Sequence, residues 1–283
     1  MLSPFAQGSY QNEAYGLFGK SSTDSEQHHK DEDVDYYQGG YSYFLNPVEI
    51  YTDLPAESTF FSRSPKIVLE ADRSVRVPKD DFLKTRVIYD WSDPAVNHRL
   101  RIGAAYGQHK SESDNRHMNG GLAGVSVYFL GTGKADFDTS YVSGDGFNVS
   151  ETTIQFRQVY TAYDNDIVFE LGLRYDAYRN PHIRVGRRAS GFYENSWNGR
   201  LGWYFSPSFQ FGLGHEAYTR DYRYSKDSSS KNVLLVYSEW TPSVNISLFI
   251  EGAVDREVID LATSDQNVTD DTARLDVGAK FRF

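Results

Sequence analysis

Apolar and polar side chains alternate without a break along the end of the chain, in the segment ARLDVGAKFRF. Leu275, Val277, Phe281 and the terminal Phe283 fall on one parity, and charged or small residues fall on the other. A period of two places successive side chains on opposite faces of a β-strand. The pattern therefore predicts a final strand with one apolar face and one polar face.

The same alternation recurs along the rest of the chain and predicts fourteen strands. They lie near residues 9–20, 35–45, 61–72, 82–91, 98–109, 119–131, 135–143, 152–163, 166–178, 192–205, 208–220, 231–240, 245–256 and 273–283. Their spacing of about 10 to 13 residues matches tilted strands that cross a bilayer. A soluble β-sandwich would also alternate, but it must cover its apolar faces with a second sheet.

Charged residues keep to one parity within each of the clearest strands. In WNGRLGWYF, for example, Trp197, Leu201 and Trp203 oppose Asn198 and Arg200. An Arg or Lys on the lipid face at mid-depth costs about 2–4 kcal/mol, so a bilayer enforces this separation. We therefore predict an all-β protein: one domain over residues 1–283, folded as a transmembrane antiparallel up-and-down β-barrel in the bacterial outer membrane.

Composition narrows the possibilities further. The chain is 15% aromatic with a mean hydropathy of -0.57, and no run approaches the ~20 apolar residues that a membrane-spanning helix needs. A helical membrane protein is therefore excluded. The absence of Cys excludes a disulfide framework and a thiolate metal site, and we expect no cofactor and no metal. A net charge of -10 argues against nucleic acid as a partner.

The predicted links fall into two sets. Short links with turn-forming residues occur near 92–97, 131–134, 164–165, 206–207 and 241–244, and would lie on the inner side. Aromatic residues beside them would form a girdle at that interface: Trp91, Tyr163, Trp203, Phe205 and Trp240. The other links, at 21–34, 72–80, 110–118, 180–190, 221–230 and 257–272, are expected to be long polar outer loops. The inner link 46–59 is too long for a simple turn, and its role stays open.

The polar parity predicts the residues that line the interior. The basic ones are Lys66, Lys84, Arg86, Arg99, Arg101, Arg157, Arg174 and Arg200, and the acidic ones are Glu170, Glu216, Glu239, Glu251, Asp255 and Asp276. Strands three to five are mainly basic, and strands ten to thirteen on the opposite wall are acidic. We expect a transverse field with weak ion selectivity, because facing charges are screened over about 8 Å.

The stretch YSYFLNPVEIYTDLPAESTFFSRSPKIVLEA, Tyr41 to Ala71, resembles the early region of a family of general porins from gammaproteobacterial outer membranes. That family has a Tyr-rich second strand followed by Pro-Val and then a Pro-x-Glu segment. In size and strand number the chain is also similar to OmpG-type fourteen-stranded porins, which are monomers. The resemblance implies passive diffusion of small solutes through a monomeric barrel.

These observations predict an outer-membrane porin that forms a water-filled channel for small hydrophilic solutes and ions. Its expected partners are outer-membrane lipid, lipopolysaccharide and the barrel-assembly machinery, with Phe281 and Phe283 as the assembly signal. One alternative is a surface receptor or adhesin that acts through its outer loops. Another is an outer-membrane lipid hydrolase, for which His109, Ser111 and Asn119 loosely resemble a Ser-His-Asn group. Because their parity directs His109 and Ser111 away from lipid, we expect no enzymatic activity and no catalytic residue.

Overall fold

The backbone forms fourteen β-strands. A computed structural model describes residues 9–25, 32–49, 64–76, 80–92, 97–110, 115–129, 132–144, 147–162, 165–185, 188–222, 227–261 and 267–283. The strands are β1 (Ser9–Ser25), β2 (Glu32–Glu49), β3 (Lys66–Arg76), β4 (Asp80–Ser92), β5 (His98–Lys110), β6 (Asn115–Phe129), β7 (Gly133–Gly144), β8 (Phe147–Ala162), β9 (Asn165–Val185), β10 (Arg188–Ser206), β11 (Phe209–Tyr222), β12 (Ser228–Ser243), β13 (Ile246–Asp260) and β14 (Asn267–Arg282).

Each strand pairs with its neighbours in sequence, and β1 pairs with β14 to close the barrel. All pairings are antiparallel, and the closing register runs from Glu13 opposite Arg282 to Ser25 opposite Asp270. Closure leaves no free strand edge, which is the condition for a sheet to cross a bilayer. The predicted fold class and strand number are therefore confirmed. Among the described residues, no helix is long and apolar enough to cross a membrane.

The predicted long outer loops are largely wrong, because the strands continue into them. β3 and β4 are separated only by residues 77–79, β9 and β10 by 186–187, and β13 and β14 by 261–266. Backbone pairing does not depend on lipid, so the ladder extends past the point where the outward face turns polar. The outward Arg256 and Asp271, for example, form an exposed ion pair at 2.8 Å across β13 and β14.

The outward face carries the apolar residues. Leu201, Leu213, Leu234 and Val254 each expose more than half of their surface although they lie in the middle of long strands. A continuous exposed apolar surface of this kind is stable in contact with lipid and unfavourable in contact with water. Of the aromatic residues predicted beside the short links, the described ones are exposed: Trp91, Trp203, Phe205 and Trp240. Tyr163 lies outside the described residues.

The wall bends sharply at β6. Cα atoms of β5 and β7 approach within 8 Å of each other, closer than the ~9.6 Å expected for two strand spacings in a flat sheet. Inward glycines permit this approach: a Cβ on Gly120 would collide with the carbonyl oxygen of Tyr141, and one on Gly103 with that of Val87. Inside the bend, buried apolar side chains pack together: Ala105, Met118 and Val142.

The two ends of the predicted inner link 46–59 are held by contacts with neighbouring residues. β2 continues to Glu49 and stays paired with β1 beyond a register shift, so that Val48 pairs with Tyr10, and Phe44 is buried in one cluster with these two residues. The Ser64 hydroxyl donates to the Asn46 carbonyl at 2.6 Å, which joins the two ends of the link. Residues 50–63 lie outside the described part of the chain. Predicted strand 61–72 is accordingly shifted, and β3 runs from Lys66 to Arg76.

Candidate functional site: the charged interior

Cross-strand register places all fourteen predicted lining residues on the face opposite the exposed apolar side chains. These are Lys66, Lys84, Arg86, Arg99, Arg101, Arg157, Arg174, Arg200, Glu170, Glu216, Glu239, Glu251, Asp255 and Asp276. Contacts between non-neighbouring strands support the same assignment, because such contacts form only on the concave side. Whether these side chains line a conducting path remains a prediction.

The wall formed by β3–β7 carries both signs of charge in close pairs. Arg86 lies 3.0 Å from Glu70 and 3.2 Å from Asp72. Next to it, Arg101 lies 2.9 Å from Asp136 and 3.0 Å from Asp138. Each guanidinium thus contacts two carboxylates: those of Arg86 lie on the neighbouring strand β3, and those of Arg101 lie on β7, across the bend at β6.

A second network crosses β10–β14. Arg200 lies 3.2 Å from Glu216 and 2.9 Å from Glu251, and Arg274 reaches the other oxygen of Glu251 at 2.7 Å. Arg274 also contacts Asp276 at 3.0 Å. Glu251 therefore joins β10 to β14 although three strands lie between them.

Other predicted lining charges also make local pairs. Arg157 lies 3.0 Å from Glu170, and Asp255 lies 2.9 Å from Lys231. Arg99 and Asp90, both almost fully buried, lie 3.1 Å apart. Many of the interior charges are thus paired along one wall, and the predicted transverse field stays a prediction.

One contact spans a wider part of the interior. The Lys84 ammonium on β4 lies 3.4 Å from Glu151 on β8, and Arg174 on β9 lies 3.7 Å from the same carboxylate. Side chains separated by three intervening strands meet here because the sharp bend at β6 narrows this side of the barrel. Glu151 was not among the predicted lining residues, although its parity in β8 could have identified it.

Among the described residues, inward side chains line two cavities. One, of about 140 Å³, lies on the β10–β14 wall and is lined by residues that include Glu216, Tyr218, Lys231 and Asp255. The other, of about 470 Å³, extends from β1–β5 to β12–β14. Its lining includes Glu13, Tyr15, Lys66, Asp90, Arg101, Glu239, Phe249 and Lys280. Sequence reasoning missed the inward Tyr15 and Phe249, whose parity matches that of charged neighbours.

The residues that suggested lipid hydrolysis do not come together. Register places His109 on the inward face opposite Phe82, whereas Asn119 is exposed on the outward face opposite Tyr106. Ser111 lies outside the described residues. Among the residues that the structure describes, no group of three His, Asp or Glu could hold a metal ion.

Known structures with a similar fold are outer-membrane proteins. The Acinetobacter baumannii outer membrane protein Omp33 is 14% identical with a TM-score of 0.50, and the match covers 97% of this chain and 99% of that one. A Pseudomonas aeruginosa FadL homologue is 9% identical with a TM-score of 0.58, covering 96% and 90%. A bacterial polysaccharide outer membrane secretin is 12% identical with a TM-score of 0.54, covering 95% and 98%.

These identities support a common fold and no more. No family model matches the chain, and no curated protein matches it, so the resemblance at residues 41–71 gains no independent support. The closed barrel and its exposed apolar band are nevertheless those of bacterial outer-membrane proteins. The predicted location in the outer membrane is therefore consistent with both the fold and the surface.

Proposed function

We propose that the barrel is a porin-type channel for passive diffusion of small hydrophilic solutes and ions. The main support is the inward face, which is charged and encloses the 470 Å³ cavity while the outward face is apolar. Barrels of eight strands fill their interior with side chains, and those of sixteen to eighteen leave an aqueous channel. Fourteen strands with a pinched side would leave a narrow passage.

The paired interior charges shape the expected transport. The electric fields of two neighbouring opposite charges nearly cancel at a distance, and salt screens what is left over about 8 Å. An ion in the passage would therefore experience little net field from these pairs. We expect small unit conductance and weak selectivity between cations and anions. The channel would act as a monomer in outer-membrane lipid and lipopolysaccharide, after insertion by the barrel-assembly machinery.

Receptor function through long outer loops has less support than the sequence suggested. Several segments that were predicted as loops are paired strands, and only residues 145–146 separate β7 from β8. The basic segment from Arg179 to Arg188 could pair with lipopolysaccharide phosphates; its residues 179–185 and 188 lie in the ends of β9 and β10, and its side chains are outside the described part.

Single-channel recording in planar bilayers tests the proposal. The refolded protein should give discrete conductance steps. Ile88→Trp, which adds bulk to a residue lining the larger cavity, should reduce the unit conductance at least twofold. Ile102→Trp is the matched control, because Ile102 is 63% exposed on the lipid face. Silent bilayers despite verified insertion, or equal effects of the two substitutions, would contradict a channel through this interior.

A further inference from the structure

Two lysines that face the larger cavity differ from most interior bases. Lys66 and Lys280 have no carboxylate oxygen within 4.0 Å among the described residues, whereas Arg86, Arg101 and Arg200 each have two carboxylate partners. The Lys66 ammonium instead lies 5.4 Å from the centre of the Phe44 ring. An ammonium group that lacks an anionic partner in a confined space attracts an anion.

Glu239 is a third unsatisfied charge in the same cavity. Its Oε1 atom is buried and has no hydrogen-bond partner among the described residues. The other carboxylates lining this cavity each have a close basic partner: Glu13 contacts Arg282, Glu70 contacts Arg86, and Asp90, whose Oδ1 also lacks a hydrogen bond in the described part of the chain, contacts Arg99. A buried acceptor without a partner is destabilising, and a bound hydrogen-bond donor would satisfy it.

We propose that this cavity binds a small organic carboxylate that also carries a hydrogen-bond donor, such as a hydroxy acid. Lys66 and Lys280 would bind the carboxylate, and Glu239 would accept from the donor. Tyr15, Ile88 and Phe249 provide apolar surface for the carbon skeleton. The volume of about 470 Å³ lies within the range of small-molecule sites. This inference rests on the proposed channel, since it names the solute class that would pass.

Gluconate and glucose are suitable probes, because both are six-carbon molecules with several hydroxyl groups and only gluconate carries a carboxylate. Gluconate added to a conducting channel should interrupt the current with a dissociation constant at least tenfold lower than that of glucose. Lys66→Gln/Lys280→Gln should abolish this difference. Lys231→Gln should preserve it, because Lys231 is an inward lysine paired with Asp255 on the wall of the other cavity.

Glu239→Leu separates hydrogen bonding from simple electrostatics. Loss of the acceptor should weaken gluconate binding, whereas a purely electrostatic site would bind an anion more tightly after loss of a negative charge. Tighter binding, or equal interruption by glucose and gluconate, would overturn the proposed site while leaving the channel intact. If bilayers stay silent, calorimetric titration of gluconate into the detergent-solubilised protein decides: lysine-dependent heat supports the site alone, and its absence overturns both proposals.

Discussion

Arg282 and Glu13 form a buried ion pair across the strands that close the barrel, and breaking it should destabilise the fold strongly. The Arg282 Nε lies 3.1 Å from a Glu13 oxygen, and the two side chains are 0% and 8% exposed. Arg282 also donates to the Ser247 hydroxyl at 3.2 Å. Arg282→Met would leave the Glu13 carboxylate buried without its partner, which costs about 3–5 kcal/mol.

An exposed pair supplies the control. Arg256 and Asp271 form a two-point contact at 2.8 and 3.0 Å, but their side chains are 67% and 55% exposed. Such pairs contribute about 0–1 kcal/mol, so Arg256→Met should have little effect. The expected difference of at least ~2 kcal/mol corresponds to roughly thirtyfold in the unfolding equilibrium, since about 1.4 kcal/mol is tenfold.

Equilibrium unfolding in urea, followed by tryptophan fluorescence of the protein in phospholipid vesicles, measures this difference. The double variant Glu13→Leu/Arg282→Met should recover much of the lost stability, because removal of both charges leaves none unpaired. If Arg282→Met and Arg256→Met agree within about 1 kcal/mol, the pair at the closing strands is not buried as described, and the reasoning fails.

Two further predictions concern assembly and wall shape. Phe283 pairs through its backbone with Asn12 at 2.8 and 2.9 Å and exposes 61% of its surface. Phe283→Asp should therefore lower outer-membrane abundance several-fold and leave the unit conductance unchanged. An equal loss of abundance in Phe18→Asp, on β1, would show that Phe283 has no special role. Gly120→Ala should lower the free energy of unfolding by about 1–3 kcal/mol, because the new Cβ would collide with the backbone of β7. Gly16→Ala is the control, since a Cβ there would have no atom within 4 Å. Equal unfolding free energies of the two variants would contradict the tight bend at β6.

Strand number and face assignment were predictable because lipid acts on every strand alike. Arg200 and Leu201 must point to opposite sides wherever the strand crosses hydrocarbon, so parity alone assigns their faces. Above the lipid this constraint ends. Asp271 was read as a loop residue, and its partner Arg256 as the last residue of a strand, because both faces of the strands are polar there, yet backbone pairing continues through them to Asp260 and Asn267. The hydropathy pattern therefore did not indicate where the strands end on the outer side.

The sequence could not show which charges pair with one another inside the barrel, and the reason is different. Parity places Lys84 and Glu151 on the inward face, but their contact depends on how sharply the wall bends between β4 and β8. That bend follows from close backbone approach at Gly103 and Gly120, which only the assembled sheet reveals. Residue counts for each wall consequently overestimated the separation of positive and negative charge.

The pairing pattern changes which interior charges can govern selectivity. Arg101 and Lys134 together balance the charges of Asp136 and Asp138, so this cluster presents an almost neutral surface to a solute several ångströms away. An ammonium with no carboxylate oxygen within 4.0 Å among the described residues, such as that of Lys66, retains more of its attraction for an anion. Selectivity should therefore depend on the few groups without a close partner rather than on the total charge of either wall, and substitutions should change it most in the larger cavity, which Lys66, Lys280 and Glu239 line.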